Sequence, residues 1–164
     1  MAAPSTATSV LFDINVYVNA LVGPDSTFPL IAEIPPSTGN ASADCVSSAM
    51  DADEFQLHAS PHILTNTARV LKTLGISDAL AADYIEAILD IVSGSGGKVI
   101  DPPRAVFDVH DFEDNLVLDL VVAIDAPLLV SDDTDLTKLN PWNGRLILRP
   151  HEFVTRVVQS RRGR

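Results

Sequence analysis

One cysteine, Cys45, is all that this chain of 164 residues contains. No internal disulfide can staple it, and such sparing use of sulfur fits a reducing compartment. Aromatic residues are scarce, at 5 %, which leaves the core to aliphatic side chains. No Lys or Arg precedes Arg69. Met1 to Thr8 offers neither a basic stretch nor an apolar centre, so the sequence carries no signal-peptide pattern at its start. Long apolar runs are missing too: Asp119 and Asp125 interrupt the best of them, and no stretch reaches the length a bilayer requires. These absences predict a cytoplasmic protein that spans no membrane. Ser93-Gly94-Ser95-Gly96-Gly97 is rich in glycine, yet no GxGxxG follows a strand and no Lys-Ser/Thr follows the glycines, which excludes a phosphate loop. His58, His62, His110 and His151 have no metal-ligand spacing, and no Ser-His-Asp or Cys-His set can be assigned.

What is present is acid, unevenly spread. The net charge is −11. Asp101 to Asp135 carries ten acidic residues against the single base Arg104, whereas Leu136 to Arg164 sets Lys138, Arg145, Arg149, Arg156, Arg161, Arg162 and Arg164 against Glu152 alone. Such a pattern suits either a solvated surface with a basic tail, or carboxylates gathered for a cation and bases turned to a polyanion. The length predicts a single domain over 1–164 with a self-sufficient core, residues 1–8 and 160–164 being frayed ends.

The chain alternates strand and helix signals. Ser9-Val10-Leu11-Phe12 is a short apolar run of the kind that forms a buried parallel strand. Ile14 to Val22 then puts Ile14, Val18, Leu21 and Val22 on one helical face, and Gly23-Pro24-Asp25 stops it. Phe28 to Glu33 suggests a short helix and Ile34 to Asn40 a loop. Ser42 or Asp44 is placed to cap a helix with Val46, Ala49 and Met50. Phe55 to Ala59 is a second strand. Ser60-Pro61 opens a helix, with Ser as N-cap and Pro at the first turn, and Gly75 ends it. Ser77 to Val92 is another Ser-capped helix. Lys98-Val99-Ile100 is a third strand, Asp111 to Ile124 a helix, Pro127 to Val130 a fourth strand, Arg145 to Leu148 a fifth, and Pro150 to Val158 a closing helix. This alternation predicts a doubly wound α/β fold.

Three acidic junctions stand out on that frame. Asp13 closes the first strand, where ligands gather in parallel sheets. His110-Asp111-Phe112-Glu113-Asp114-Asn115 opens a helix with Asp111 and Asp114 one turn apart. Val130-Ser131-Asp132-Asp133-Thr134-Asp135 ends another strand in carboxylates. Each junction alone also reads as a helix cap, a dipole-stabilised helix start or a polar turn. Taken together they suggest like charges brought close, which destabilises a fold unless a cation offsets it. Hard oxygen donors of this kind suit Mg²⁺ or Mn²⁺ rather than zinc.

These residues resemble the PIN domain nucleases, particularly their bacterial toxin-like branch. Phe12-Asp13-Ile14-Asn15-Val16 is similar to the family's opening Asp-x-Asn. Ser60 to Leu71 resembles its second motif helix, Asp111 to Asn115 its Asp-Pro-x-Asp-Asp/Asn helix start, and Val130 to Leu136 its Val-Thr/Ser-x-Asp-x-Asp-Leu strand end. Ile147 to Phe153 follows the branch's closing Ile-x-x-Pro-x-Glu-Phe run. The resemblance implies a three-layer α/β/α fold around a parallel sheet of about five strands. It also implies metal-dependent cleavage of RNA, with Asp13, Asp114 and Asp133 as catalytic metal ligands, Asn15, Asp111, Ser131 and Asp135 in support, and Mg²⁺ or Mn²⁺ as cofactor. The branch implies the toxin of a type II toxin–antitoxin pair, a cognate antitoxin and a homodimer.

One position departs from the pattern. Where the family's motif helix carries a glutamate, this chain has Asn66, which offers a carbonyl oxygen but no charge. That leaves a weakened ribonuclease or, alternatively, an impaired module that binds RNA or a protein partner without cutting. With so acidic a protein, RNA contact is expected to fall to Arg69, Lys72, Arg145, Arg149 and Arg156. Asp133-Thr134-Asp135-Leu136-Thr137 also spells the Asp-x-Asp-x-Thr of haloacid-dehalogenase-like phosphatases, but too little chain follows it for that fold.

Overall fold

The computed structural model describes residues 7–23 and 39–163. Four parallel strands form one sheet in the order β2-β1-β3-β4: β1 (Thr8–Phe12), β2 (Phe55–His58), β3 (Leu128–Val130) and β4 (Leu146–Leu148). Val10, Leu11, Phe12, Leu128, Leu129 and Val130 are all buried, so both faces of the central strands are covered, as parallel strands require. The covering helices are α1 (Ile14–Val22), α2 (Ala41–Ala49), α3 (Pro61–Thr73), α4 (Asp78–Gly94), α5 (Phe112–Ala123) and α7 (Pro150–Arg162). A short α6 (Thr134–Thr137) follows β3.

The strand order determines where a site can lie. From β1 the chain crosses to β2 on one side, then returns past β1 to β3 on the other. The carboxyl ends of β1 and β3 therefore flank the point where the winding reverses, the place where α/β sheets open a crevice. Phe12 pairs with Val130, which sets Asp13 beside Ser131. The Asp13 N–H continues the ladder by donating to the Val130 carbonyl at 2.9 Å.

Three of the rare aromatics lock this frame. Phe153 of α7 meets Phe12 of β1 edge-on at 5.5 Å and Phe55 of β2 at 5.2 Å, a favourable arrangement of ring quadrupoles. The Tyr84 hydroxyl donates to the Tyr17 carbonyl at 2.6 Å and ties α4 to α1.

Several sequence expectations need correction. The third strand, Lys98–Ile100, reduces to a single bridge between Ala59 and Val99, so among the described residues the sheet has four strands and not five. Its neighbours explain this: Pro102 and Pro103 follow with no N–H to donate. On the other side Gly97 passes so close to β2 that a Cβ would stand 1.7 Å from the Leu57 carbonyl oxygen. The cap of α2 is Asn40, whose side chain accepts from the Ala43 N–H at 3.0 Å, rather than Ser42 or Asp44. Helix α7 runs past Val158 to Arg162, because Arg161 donates to Glu54 at 2.7 Å and to the Ser48 carbonyl at 2.8 Å. The expected helix Phe28–Glu33 and most of the loop Ile34–Asn40 lie outside the described residues. Among the described residues, no helix is long and apolar enough to cross a membrane.

Candidate metal centre

Each acid arrives at the crevice through its role in local structure. Asp13 caps α1, its Oδ1 accepting from the Ile14 N–H at 2.7 Å. Its other oxygen accepts from the Ser131 hydroxyl at 2.7 Å and from the Asn15 amide at 3.2 Å. Asp133 caps α6, accepting from the Asp135 N–H at 2.9 Å, while its own N–H donates to Ser131 Oγ at 3.0 Å. Asp111 caps α5 through the Glu113 N–H at 2.8 Å, which leaves Asp114 in the first turn, facing inward. Capping and clustering are therefore compatible here: a cap uses one carboxylate oxygen, and the second can meet partners from elsewhere in the fold.

Asp13, Asp114 and Asp133 each present an oxygen within 4.8 Å of the others. Asp13 is 5 % and Asp114 7 % exposed. Among the described residues no Lys or Arg pairs with any of the three. Burial pushes the Asp114 carboxyl up to about 7, and the charges of Asp133, Asp111 and Asp13 add to the effect. The Asp13 carboxyl is likewise raised, by burial first; the bonds from Ser131 and Ile14 pull it partly back. Asp114 Oδ2 is buried with no hydrogen-bond partner. A buried acceptor left without a donor is rare in a native fold, and this one belongs to a carboxylate that is grouped with two others. Ligands of an octahedral Mg²⁺ at about 2.1 Å lie roughly 3 to 4 Å apart, so small rotations would bring these oxygens onto one ion. The all-oxygen set fits a hard divalent cation and not zinc.

Asn15 holds the two strand ends in register. Its amide donates to Asp13 and to Ser131 Oγ, the latter at 3.3 Å, and its carbonyl accepts from the Asp132 N–H at 3.1 Å. Asp135 turns outward to Lys138 at 3.3 Å and does not belong to the cluster. Asn66 is engaged by neighbours on its own helix, α3. Its oxygen accepts from Arg69 Nε at 3.2 Å and its amide nitrogen lies 3.2 Å from His62 Nδ1. Arg69 in turn reaches Glu113 at 3.5 Å, beside Asp114 in sequence, and so joins α3 to the head of α5.

The other bases expected on the nucleic-acid face scatter. Lys72 pairs with Asp78 at 3.6 Å and Arg149 approaches Asp132 at 3.8 Å. Arg156 is exposed on α7. Arg145 pairs with Asp125 at 2.8 Å just before β4, at the end of the sheet opposite the acids. Two supporting residues were not foreseen. The Asn115 side chain clamps Val109 through both its N–H and its carbonyl, at 3.0 and 2.8 Å. Buried Asp119 accepts from the Ala105 and Val106 N–H groups at 2.9 and 2.7 Å and from Arg104. The signal for both was a polar side chain inside an otherwise apolar helix.

A family model described as PIN domain matches residues 9–135, a span that holds all three acids. Members of that family are generally metal-dependent nucleases. No curated protein and no solved structure matches the chain.

Proposed function

Since this chain belongs to the PIN domain family, we propose that it is a divalent-metal-dependent endoribonuclease, the toxin of a toxin–antitoxin pair. One observation carries the reading: Asp114, with one buried oxygen unpartnered, is grouped with Asp13 and Asp133, and among the described residues no base pairs with the three. Asp13, Asp114 and Asp133 would hold Mg²⁺ or Mn²⁺. Such an ion, when bound, lowers the pKa of a coordinated water and offsets charge on a scissile phosphate. The chain's own groups prepare the place. Ser131 and Asn15 orient the Asp13 carboxylate, and the Ser131 hydroxyl fixes the turn that presents Asp133. Asp111 starts α5 at the point that directs Asp114 inward. No side-chain nucleophile is needed. RNA as substrate, the antitoxin partner and a homodimer belong to the same proposal.

The test is cleavage of pooled RNA with Mn²⁺, with chelator, and with Asp114→Asn. The reading expects cleavage that requires metal and disappears in the variant. Cleavage that persists in chelator, or none by a protein shown to bind Mn²⁺, would overturn it. The second result would favour an impaired binding module, a reading supported by Asn66, whose one acceptor oxygen is engaged by Arg69.

A further inference from the structure

Phenylalanine is used in two opposite ways in this chain. Phe12, Phe55 and Phe153 are buried against one another. Phe107 and Phe112 are 72 % and 60 % exposed, the most exposed large apolar side chains among the described residues. They do not stand apart: the Arg104 guanidinium lies over both rings, 4.7 Å from the centre of Phe107 and 5.0 Å from that of Phe112. Arg104 is itself held by buried Asp119 and by the Val106 carbonyl at 3.2 Å. A fixed post thus carries two rings, and exposure this high means that much of each ring faces water.

We propose that Phe107 and Phe112 form a stacking subsite for the unpaired bases of a single-stranded nucleic acid beside the acid cluster. The placement rests on the nuclease reading of that cluster; the stacking itself does not. Phe112 is the first residue of α5 and Asp114 the third. The segment joining the rings, Asp108 to Asp111, walls a cleft of about 610 Å³ whose other side is Asp135, Lys138 and Leu139, residues that follow Asp133. The rings thus flank the segment that leads into α5, whose first turn carries Asp114, and the cleft runs from that segment to the residues after Asp133. Exposed aromatic rings next to a chemical centre suit nucleobases, because every base has a π-face and stacking needs no sequence. A phosphate is the poorer occupant, since both terminal nitrogens of Arg104 are already engaged, by Asp119 and by the Val106 carbonyl. A protein partner is also a poor fit. At about 200 Å² per ring the pair exposes roughly 250 Å², well short of the about 800 Å² per partner of a standard interface.

The test compares an oligoadenylate strand, an abasic ribose-phosphate strand of equal length and an RNA duplex, by fluorescence anisotropy in chelator at low and moderate salt. Wild-type protein is expected to favour oligoadenylate over the abasic strand by about tenfold or more, the range of one or two stacked bases. The Phe107→Leu/Phe112→Leu double variant keeps apolar bulk without rings and is expected to lose that preference by the same factor at both salt concentrations, while Phe107→Trp/Phe112→Trp retains it. Equal affinity of the wild type for the two strands, equal loss on both in the Leu variant, or a preference for duplex would overturn the subsite. So would a dimer-to-monomer change in the Leu variant with base preference intact, which would make the rings a contact between copies. Cleavage of pooled RNA with Mn²⁺ is read separately. Cleavage without base preference removes the subsite alone, and ring-dependent preference without cleavage removes the nuclease reading alone.

Discussion

Helix α5 carries two buried aspartates, five positions apart, with opposite surroundings. Asp119, 1 % exposed, accepts from Arg104 and from two backbone N–H groups. Asp114, 7 % exposed, has an oxygen with no partner and other acids around it. The same residue type on the same helix is thus once a fastener and once a source of strain. A buried carboxylate surrounded by donors fixes the loop that supplies them. One surrounded by other carboxylates is held there only because the rest of the fold outweighs the repulsion, and it is ready for a cation.

The largest effect should come from breaking the fastened side. Asp119→Ala strands Arg104 and the Ala105 and Val106 N–H groups, and breaking a buried pair costs roughly 3–5 kcal/mol. Because the Arg104 side chain is 33 % exposed and can turn to water, the lower end, about 3 kcal/mol, is expected in chemical denaturation. The crowded side should respond in the opposite sense. Asp114→Asn is expected to raise the metal-free melting temperature by relieving repulsion. Wild-type protein should gain about 2.7 kcal/mol from Mn²⁺ at a hundredfold excess over Kd, and the variant should lose most of that increment. A fall in metal-free stability with an unchanged Mn²⁺ response would reduce Asp114 to a dipole partner of its helix.

A further effect follows from pH in the absence of metal. Asp114 titrates near 7 in the fold and near 3.9 unfolded, so the folded state holds the proton more tightly. Its contribution is fully present below about pH 4 and is lost as pH rises through 7. His58 and His62, whose pKa values burial lowers, act in the opposite direction, favouring the fold as pH rises. The difference between wild type and Asp114→Asn across this range isolates the carboxylate: it should widen with rising pH, and a flat difference would contradict the crowding. The smallest effect is expected from Asn66→Glu. A carboxylate there adds charge near the head of α5, but Arg69 already bonds that position and Glu113. Calorimetry should therefore find Mn²⁺ affinity raised by only about tenfold or less, worth up to about 1.4 kcal/mol.

Much of this was legible in the chain. Apolar runs ending in Asp13 and Ser131 identified β1 and β3, because buried parallel strands need unbroken apolar residues. Ser60-Pro61 and Ser77 marked two helix starts, since their hydroxyls serve N–H groups three residues on. Less legible were features that depend on distant partners. Lys98 to Ile100 has the composition of a strand, but Gly97 and the two prolines leave it one bridge. The last turn of α7 is held by Glu54, more than a hundred residues away.

By itself, the order of residues determined the α/β class, the acidic junctions and most helix starts, because caps, turns and periodicity act over a few neighbouring positions. Tertiary structure alone decided which acids meet. Strand order β2-β1-β3-β4 brings Asp13 and Asp133 to one crevice and α5 adds Asp114, while Asp135, only two residues from Asp133, turns outward to Lys138. It also decided that Asp119 would be paired and Asp114 would not, since that depends on where Arg104 lies when the loop closes on the helix. Local sequence sets conformation, but the sign of the charge facing a buried carboxylate is set by packing across the whole domain.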